Sequence, residues 1–297
     1  MTYRTRRLGF AVVAAIVGWA GAAHAYVRAR SATDNYDLIW PDPHISITVY
    51  TGTSMVSPSD FIGAAMEAAA TWSAPSANTS VAITISSSSG LPAGAVFDHE
   101  STISFRTSSW DAPAYPASAL ALTTIWTSGG RIIETDTEIN AVDPRFHWAV
   151  LPDDPAVAML ASQDDLQNAL THEMGHVLGL AHPCYLGVVP DPPALDNFGQ
   201  PELGCSDPML SSDVRAATMF PTAAPGNIGE RSLSPDELTA LQDLYPAGRA
   251  PVVEGPGPAA AAGGCSLADP SQRDWSPRGA VALFLMGLSI VLTRRRD

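Results

Sequence analysis

His172-Glu173-Met174-Gly175-His176-Val177-Leu178-Gly179-Leu180-Ala181-His182 gathers three imidazoles and one carboxylate into a single short stretch. Two histidines four residues apart on a helix lie about 40° apart around its axis and one turn apart along it, so both rings can reach one metal ion. Glu173 projects from the same helix beside them. It is placed to take the proton from a zinc-bound water and to deliver it to a leaving amine. Gly179 can enter a left-handed conformation, end the helix and turn the chain, which brings His182 back as third ligand. Three protein ligands leave a fourth position open, the arrangement of a catalytic rather than a structural zinc. The blander reading makes His172 and His176 polar residues on an exposed helix face; the fixed positions of Gly179 and His182 weigh against it.

The full string resembles the metzincin signature, whose members also carry a methionine in a tight turn beneath the metal. Ala217-Thr218-Met219-Phe220-Pro221 is similar to that turn in the matrixin (matrix metalloprotease-like) branch, with Met219 as the Met-turn residue. Met209, in Asp207-Pro208-Met209-Leu210, is a competitor whose neighbours match less well. Leu233 to Tyr245 is similar to the matrixins' closing helix. There Ser234 is N-cap, Pro235 the first helical residue and Glu237 the partner in a capping box, and Leu238, Leu241, Leu244 and Tyr245 form an apolar stripe.

Upstream, Ser59 or Asp60 is expected to cap a helix through Phe61, Ile62, Ala65, Met66 and Ala69 to Trp72-Ser73. Strands are expected at His44–Tyr50, Val81–Ile85, Ser101–Phe105, Ala119–Trp126 and Arg131–Ile139. The zinc-motif helix is expected to start near Ser162, with Asp165 completing the capping signal, and to bury Leu166, Ala169 and Leu170. The resemblance implies an α+β, zincin-like catalytic domain over residues 26–247, a twisted mixed sheet with an active-site helix and a C-terminal helix.

Departures from the pattern are specific. Pro183 follows His182, and Met219 comes only after a long insertion. Astacin-like metzincins would want glutamate after the third histidine and a tyrosine past the methionine; Pro183 and Phe220-Pro221-Thr222 offer neither. No cysteine precedes the first strand to act as a propeptide switch. Cys184 and Cys205 bracket the insertion, and in an exported chain a disulfide closing it is the economical reading.

Export is read from Arg4, Arg6 and Arg7 ahead of the apolar run from Leu8, with Ala23-His24-Ala25 as a cleavage site, so that residues 1–25 form a signal peptide. An uncleaved anchor is the alternative, though the run is short for one. Arg6-Arg7 leaves the twin-arginine route open. Residues 248–264 read as a Pro/Gly/Ala linker. Residues 265–297, with Gly264-Cys265, an apolar stretch and Arg294-Arg295-Arg296, resemble the C-terminal sorting tails of myxobacterial surface proteins; a plain membrane anchor is the alternative. Either places the catalytic domain outside the cell, in the extracellular space or on the outer envelope.

The formal net charge is −14, and loss of the leader arginines makes it more negative, which disfavours nucleic acid as a partner. Glu134 to Asn140 offers alternate carboxylates, with Asp136 and Glu138 as candidate calcium ligands in the region where matrixins bind structural metals, or else a solvated strand face. His147 reads as structural or surface.

The resemblance implies an exported zinc endopeptidase acting on a protein or peptide substrate, which would lie extended along the exposed edge strand Ala119–Trp126, beside a pocket wall at Pro221 and Thr222. Two alternatives stay open: a zinc-containing surface binding module without turnover, and a zinc hydrolase of a non-protein amide.

Overall fold

Ile45, Ile47 and Val49 alternate with His44, Ser46 and Thr48, and the first set is buried while the second faces outward, as a strand with one covered face requires. This computed structural model describes residues 26–30, 37–74, 78–110, 115–187, 189, 193–249 and 291–294, the last of these as backbone. The expected leader, and the linker and tail apart from 248–249 and 291–294, lie outside the described residues.

In chain order the elements are β1 (Val27–Arg28), β2 (His44–Tyr50), α1 (Pro58–Ser73), β3 (Ala82–Ser88), β4 (Ser101–Arg106), β5 (Ala119–Ser128), β6 (Arg131–Asn140), β7 (Trp148–Ala149), α2 (Pro155–Ala158), β8 (Asp164–Asp165), α3 (Leu166–Val177), β9 (Leu180–Ala181), α4 (Ser212–Arg215), β10 (Thr222–Ala223), α5 (Pro235–Leu244) and β11 (Val291–Arg294). Five long strands make a mixed sheet in the order β3-β2-β4-β6-β5, parallel except for β5, which runs antiparallel to β6. The chain is a mixed α/β fold of α+β type.

Helix α1 begins at Pro58, and its cap lies two residues before Ser59 and three before Asp60, the two caps expected. Ser57 is the N-cap, its side chain accepting from Asp60 N, because Pro58 has the fixed φ of a first helical residue and lacks the N–H that would go unpaired there. Phe61, Ala64, Ala65, Ala68, Ala69 and Trp72 form the buried face. The alanines let α1 approach the sheet and α3 closely, and one core cluster runs from Ile45, Ile47, Val49, Ile103 and Phe105 through this face to Leu166, Leu170, Leu241 and Tyr245. Among the described residues no helix is long and apolar enough to cross a membrane.

The sheet corrects one expectation. Strand β5 is not an exposed edge over Ala119–Leu122: there β11 pairs with it antiparallel, matching Val291 to Leu122 and Leu292 to Ala121, and β10 pairs with β11 in parallel on the far side.

Candidate metal centre

Helix α3 starts at Leu166, four residues later than expected. Residues 164–165 are held extended by pairing with β7, and Asp165 itself is the N-cap, accepting from Asn168 N at 2.7 Å. The guanidinium of Arg231 grips the same carboxylate through two donors at 2.6 and 2.8 Å, so the cap is fixed from both sides. Beyond it Leu166, Ala169 and Leu170 are buried, as their spacing implied.

The C-terminal end of α3 would leave carbonyls without helical partners. Three aromatic side chains answer for it and the middle of the helix: Trp72 Nε1 donates to Thr171 O at 2.7 Å, Trp40 Nε1 to Val177 O at 2.7 Å, and the Tyr245 hydroxyl to Leu178 O at 3.0 Å. The chain then turns at Gly179, whose φ is +84°. A Cβ there would lie 2.0 Å from Leu38 O, so only glycine fits on both counts. Strand β9, pairing with β1, carries the chain on to His182.

The Nε2 atom of His172 lies 3.1 Å from that of His176 and 3.1 Å from that of His182. Nδ1 of His172 faces Thr218 O at 2.8 Å, and Nδ1 of His176 faces Leu180 O at 2.8 Å. A carbonyl oxygen only accepts, so both Nδ1 atoms carry protons and, in neutral rings, both Nε2 atoms present lone pairs. Two lone pairs at that separation repel; a cation between them resolves the conflict. Ligand nitrogens at tetrahedral positions around a metal at about 2.0–2.1 Å stand roughly 3.3 Å apart. The donor set therefore fits a metal ion, and it is the only cluster of three or more His, Cys, Asp or Glu ligand atoms among the described residues.

Burial keeps these rings neutral. It lowers the pKa of His172 to about 4 against the opposing pull of the Thr218 carbonyl. It pushes His176 and His182 well below the ordinary imidazole value, with the facing rings adding to the effect. Neutral imidazole is the form that binds metals.

Met219 lies directly under the motif: a Cβ on Gly175 would meet its Sδ at 2.1 Å and Trp72 at 2.9 Å, so the thioether fills the space that glycine leaves on the helix. Met209, by contrast, is 82% exposed. Glu237 holds the Met219 loop from α5, accepting Met219 N through Oε1 and Ser234 N through Oε2, both at 3.0 Å, in the expected capping box. Cys184 and Cys205 form a disulfide, and their cluster with Leu210 and Val214 packs beside Phe220, next to the Met219 loop.

Glu173 is buried, and its Oε2 accepts from the Thr123 hydroxyl at 2.6 Å, which in turn lies 2.9 Å from Thr137 Oγ1. This contact was missed at the level of sequence. Its signal was a threonine within the apolar run Ala119–Leu122 and Ile125–Trp126 of a strand buried on both faces.

Asp136 and Glu138 are outside the one cluster of potential metal ligands among the described residues, and their strand face is not solvated. Both are buried under protein donors: Asp136 accepts from Thr102 Oγ1 at 2.6 Å and Trp126 Nε1 at 3.3 Å, while Glu138 accepts from Arg106 Nη1 at 2.8 Å and from the Tyr115 hydroxyl. Burial raises the Asp136 pKa to about 7 in spite of those donors. His147 is exposed, and its backbone bonds Asp164. No family model matches the chain, and no curated protein matches it.

Proposed function

We propose that the protein is a zinc-dependent endopeptidase of the metzincin type, in which His172, His176 and His182 hold the ion and Glu173 is the general base. The observation that carries this reading is the pair of lone-pair nitrogens, His172 Nε2 and His176 Nε2, facing each other at 3.1 Å with His182 closing the triangle. Imidazole donors suit zinc, and an ion there would polarise a scissile carbonyl and lower the pKa of water towards neutrality.

The chain's own groups supply the rest. Glu173 adjoins His172 on the helix, and the Thr123 hydroxyl fixes its Oε2, so the carboxylate is oriented before a substrate arrives. From there it accepts the proton of the attacking water and returns it to the departing nitrogen. The Thr218 and Leu180 carbonyls lock the ring orientations of two ligands, the outer contact that tunes a metal site. An extended peptide is the substrate form that could pair with the β5 edge, at the position that β11 takes.

The test is digestion of casein and of a quenched peptide, with and without a chelator, by the chain and by Glu173→Ala. Cleavage lost both on chelation and in the variant supports the proposal. Zinc bound in stoichiometric amount with no cleavage, either by the full chain or by Leu292→Pro, which breaks the β11 pairing with β5, would leave a binding module. Turnover of a cell-wall amide but not of peptides would move the assignment to a different hydrolase.

A further inference from the structure

Between β5 and β10 the fold leaves a slot one strand wide. One wall is the outer edge of β5, the other is Thr222–Ala223, three residues beyond Met219, and α3 lies against the strand that fills it. That strand is β11, residues 291–294 of the same chain. It runs antiparallel to β5, with a register shift between Leu292 and Thr293, and parallel to β10, where Thr222 matches Thr293 and Ala223 matches Arg294. Each wall is a row of backbone donors and acceptors that an extended segment satisfies. Residues 250–290 link Arg249 to the strand and can span at most about 140 Å, far more than a domain of this size requires.

We propose that the C-terminal segment is an internal occupant of the peptide slot, so that the site is latent until residues 291–294 leave it. This rests on the peptidase reading for its effect on cleavage, but not for the contact itself. An incoming peptide needs the same backbone groups of Ala119–Leu122 and Thr222–Ala223, so the two compete for one position. Because the occupant belongs to the same chain, its hold is independent of protein concentration. Removal or displacement of the tail then becomes the activating event, and the absence of a propeptide cysteine ceases to be a puzzle.

The experiment compares the full chain with full-length Leu292→Pro. Proline removes a ladder N–H from a strand bonded on both sides, an effect that needs no assumption about side chains. Ala260→Pro, in the linker sequence, is the control. The first readout is hydrogen exchange at the amides of Ala119–Leu122; the second is cleavage of a quenched peptide with zinc present. In Leu292→Pro those amides should exchange roughly tenfold faster or more, the equivalent of at least one lost hydrogen bond. Cleavage should rise by a similar factor, and a synthetic peptide of residues 288–297 added in trans should reverse both changes. Equal exchange in all three chains overturns the proposal. Faster exchange with no cleavage by any chain leaves the tail contact standing and removes the peptidase reading instead.

Discussion

Gly179→Ala should be among the most damaging single-methyl changes available to this protein. Two costs add at the site. The residue sits at φ +84°, where a Cβ costs about 1–2 kcal/mol. The new carbon would also stand 2.0 Å from Leu38 O and 3.1 Å from Leu38 C, backbone atoms of a segment tied down by Leu38 N donating to Ala29 O at 2.8 Å, and such overpacking adds roughly 1–3 kcal/mol. The total, about 2–5 kcal/mol, should lower Tm by roughly 5–15 °C in a domain of this size. Gly129→Ala isolates the first cost, since Gly129 lies at φ +57° with nothing within 4 Å of an added Cβ; it should lose only about 3–6 °C. Thermal unfolding of both variants by circular dichroism, with and without zinc, measures the difference. The turn delivers His182, so zinc should raise the Tm of Gly129→Ala as in the parent and raise that of Gly179→Ala much less. Equal losses in the two variants, or a full zinc response in Gly179→Ala, would refute the claim that close approach to Leu38 fixes this turn.

Three further changes test the surroundings of the site. Glu237→Gln replaces one acceptor facing Met219 N or Ser234 N by a donor, and should weaken zinc binding about tenfold by competition titration, whereas Ser234→Ala, which loses the cap to Asp236 N and the hydroxyl bond to Glu237 Oε2 but keeps Oε1 on Met219 N, should destabilise by about 1 kcal/mol and leave zinc affinity nearly intact. Glu230 is buried, and burial raises its pKa to about 8 from 4.5. The folded state therefore keeps a proton that the unfolded state releases, so the stabilisation is complete below about pH 4.5 and is lost as pH rises towards 8; Glu230→Gln should flatten that slope in urea denaturation at stepped pH. Replacing Cys184 and Cys205 together by serine should cost about 3 kcal/mol by releasing the loop in the unfolded chain, read as a lower urea midpoint.

The elements that carry strict periodicity were readable from the residues. Alternation at His44–Tyr50 gave a strand with matching bounds, and Ser234, Pro235 and Glu237 gave the last helix and its capping box. The start of α3 was misplaced because Ser162 and Asp165 form a local capping pattern, while the real boundary depends on partners distant in sequence, β7 and Arg231. The fate of Asp136 and Glu138 was hidden for the same reason. Alternating carboxylates look alike whether they meet water, a cation, or, as here, Thr102, Trp126, Arg106 and Tyr115.

The ligand motif was legible because all three rings come from one stretch, yet what orients them comes from elsewhere. Thr218 O fixes His172, Leu180 O fixes His176, and the loop holding Thr218 is pinned by Glu237 through Met219 N. Trp72, Trp40 and Tyr245 reach in from α1, the β2 approach and the end of α5 to hold carbonyls of α3 and its exit turn. Each contact ties the helix or its exit turn to a different part of the chain, so the orientation of the rings depends on packing across the domain. Any metal affinity would thereby draw on the same bonds as fold stability. The lone pairs meet at 3.1 Å because the domain pushes them together, and an ion that relieves that repulsion stabilises the native state without requiring the protein to rearrange.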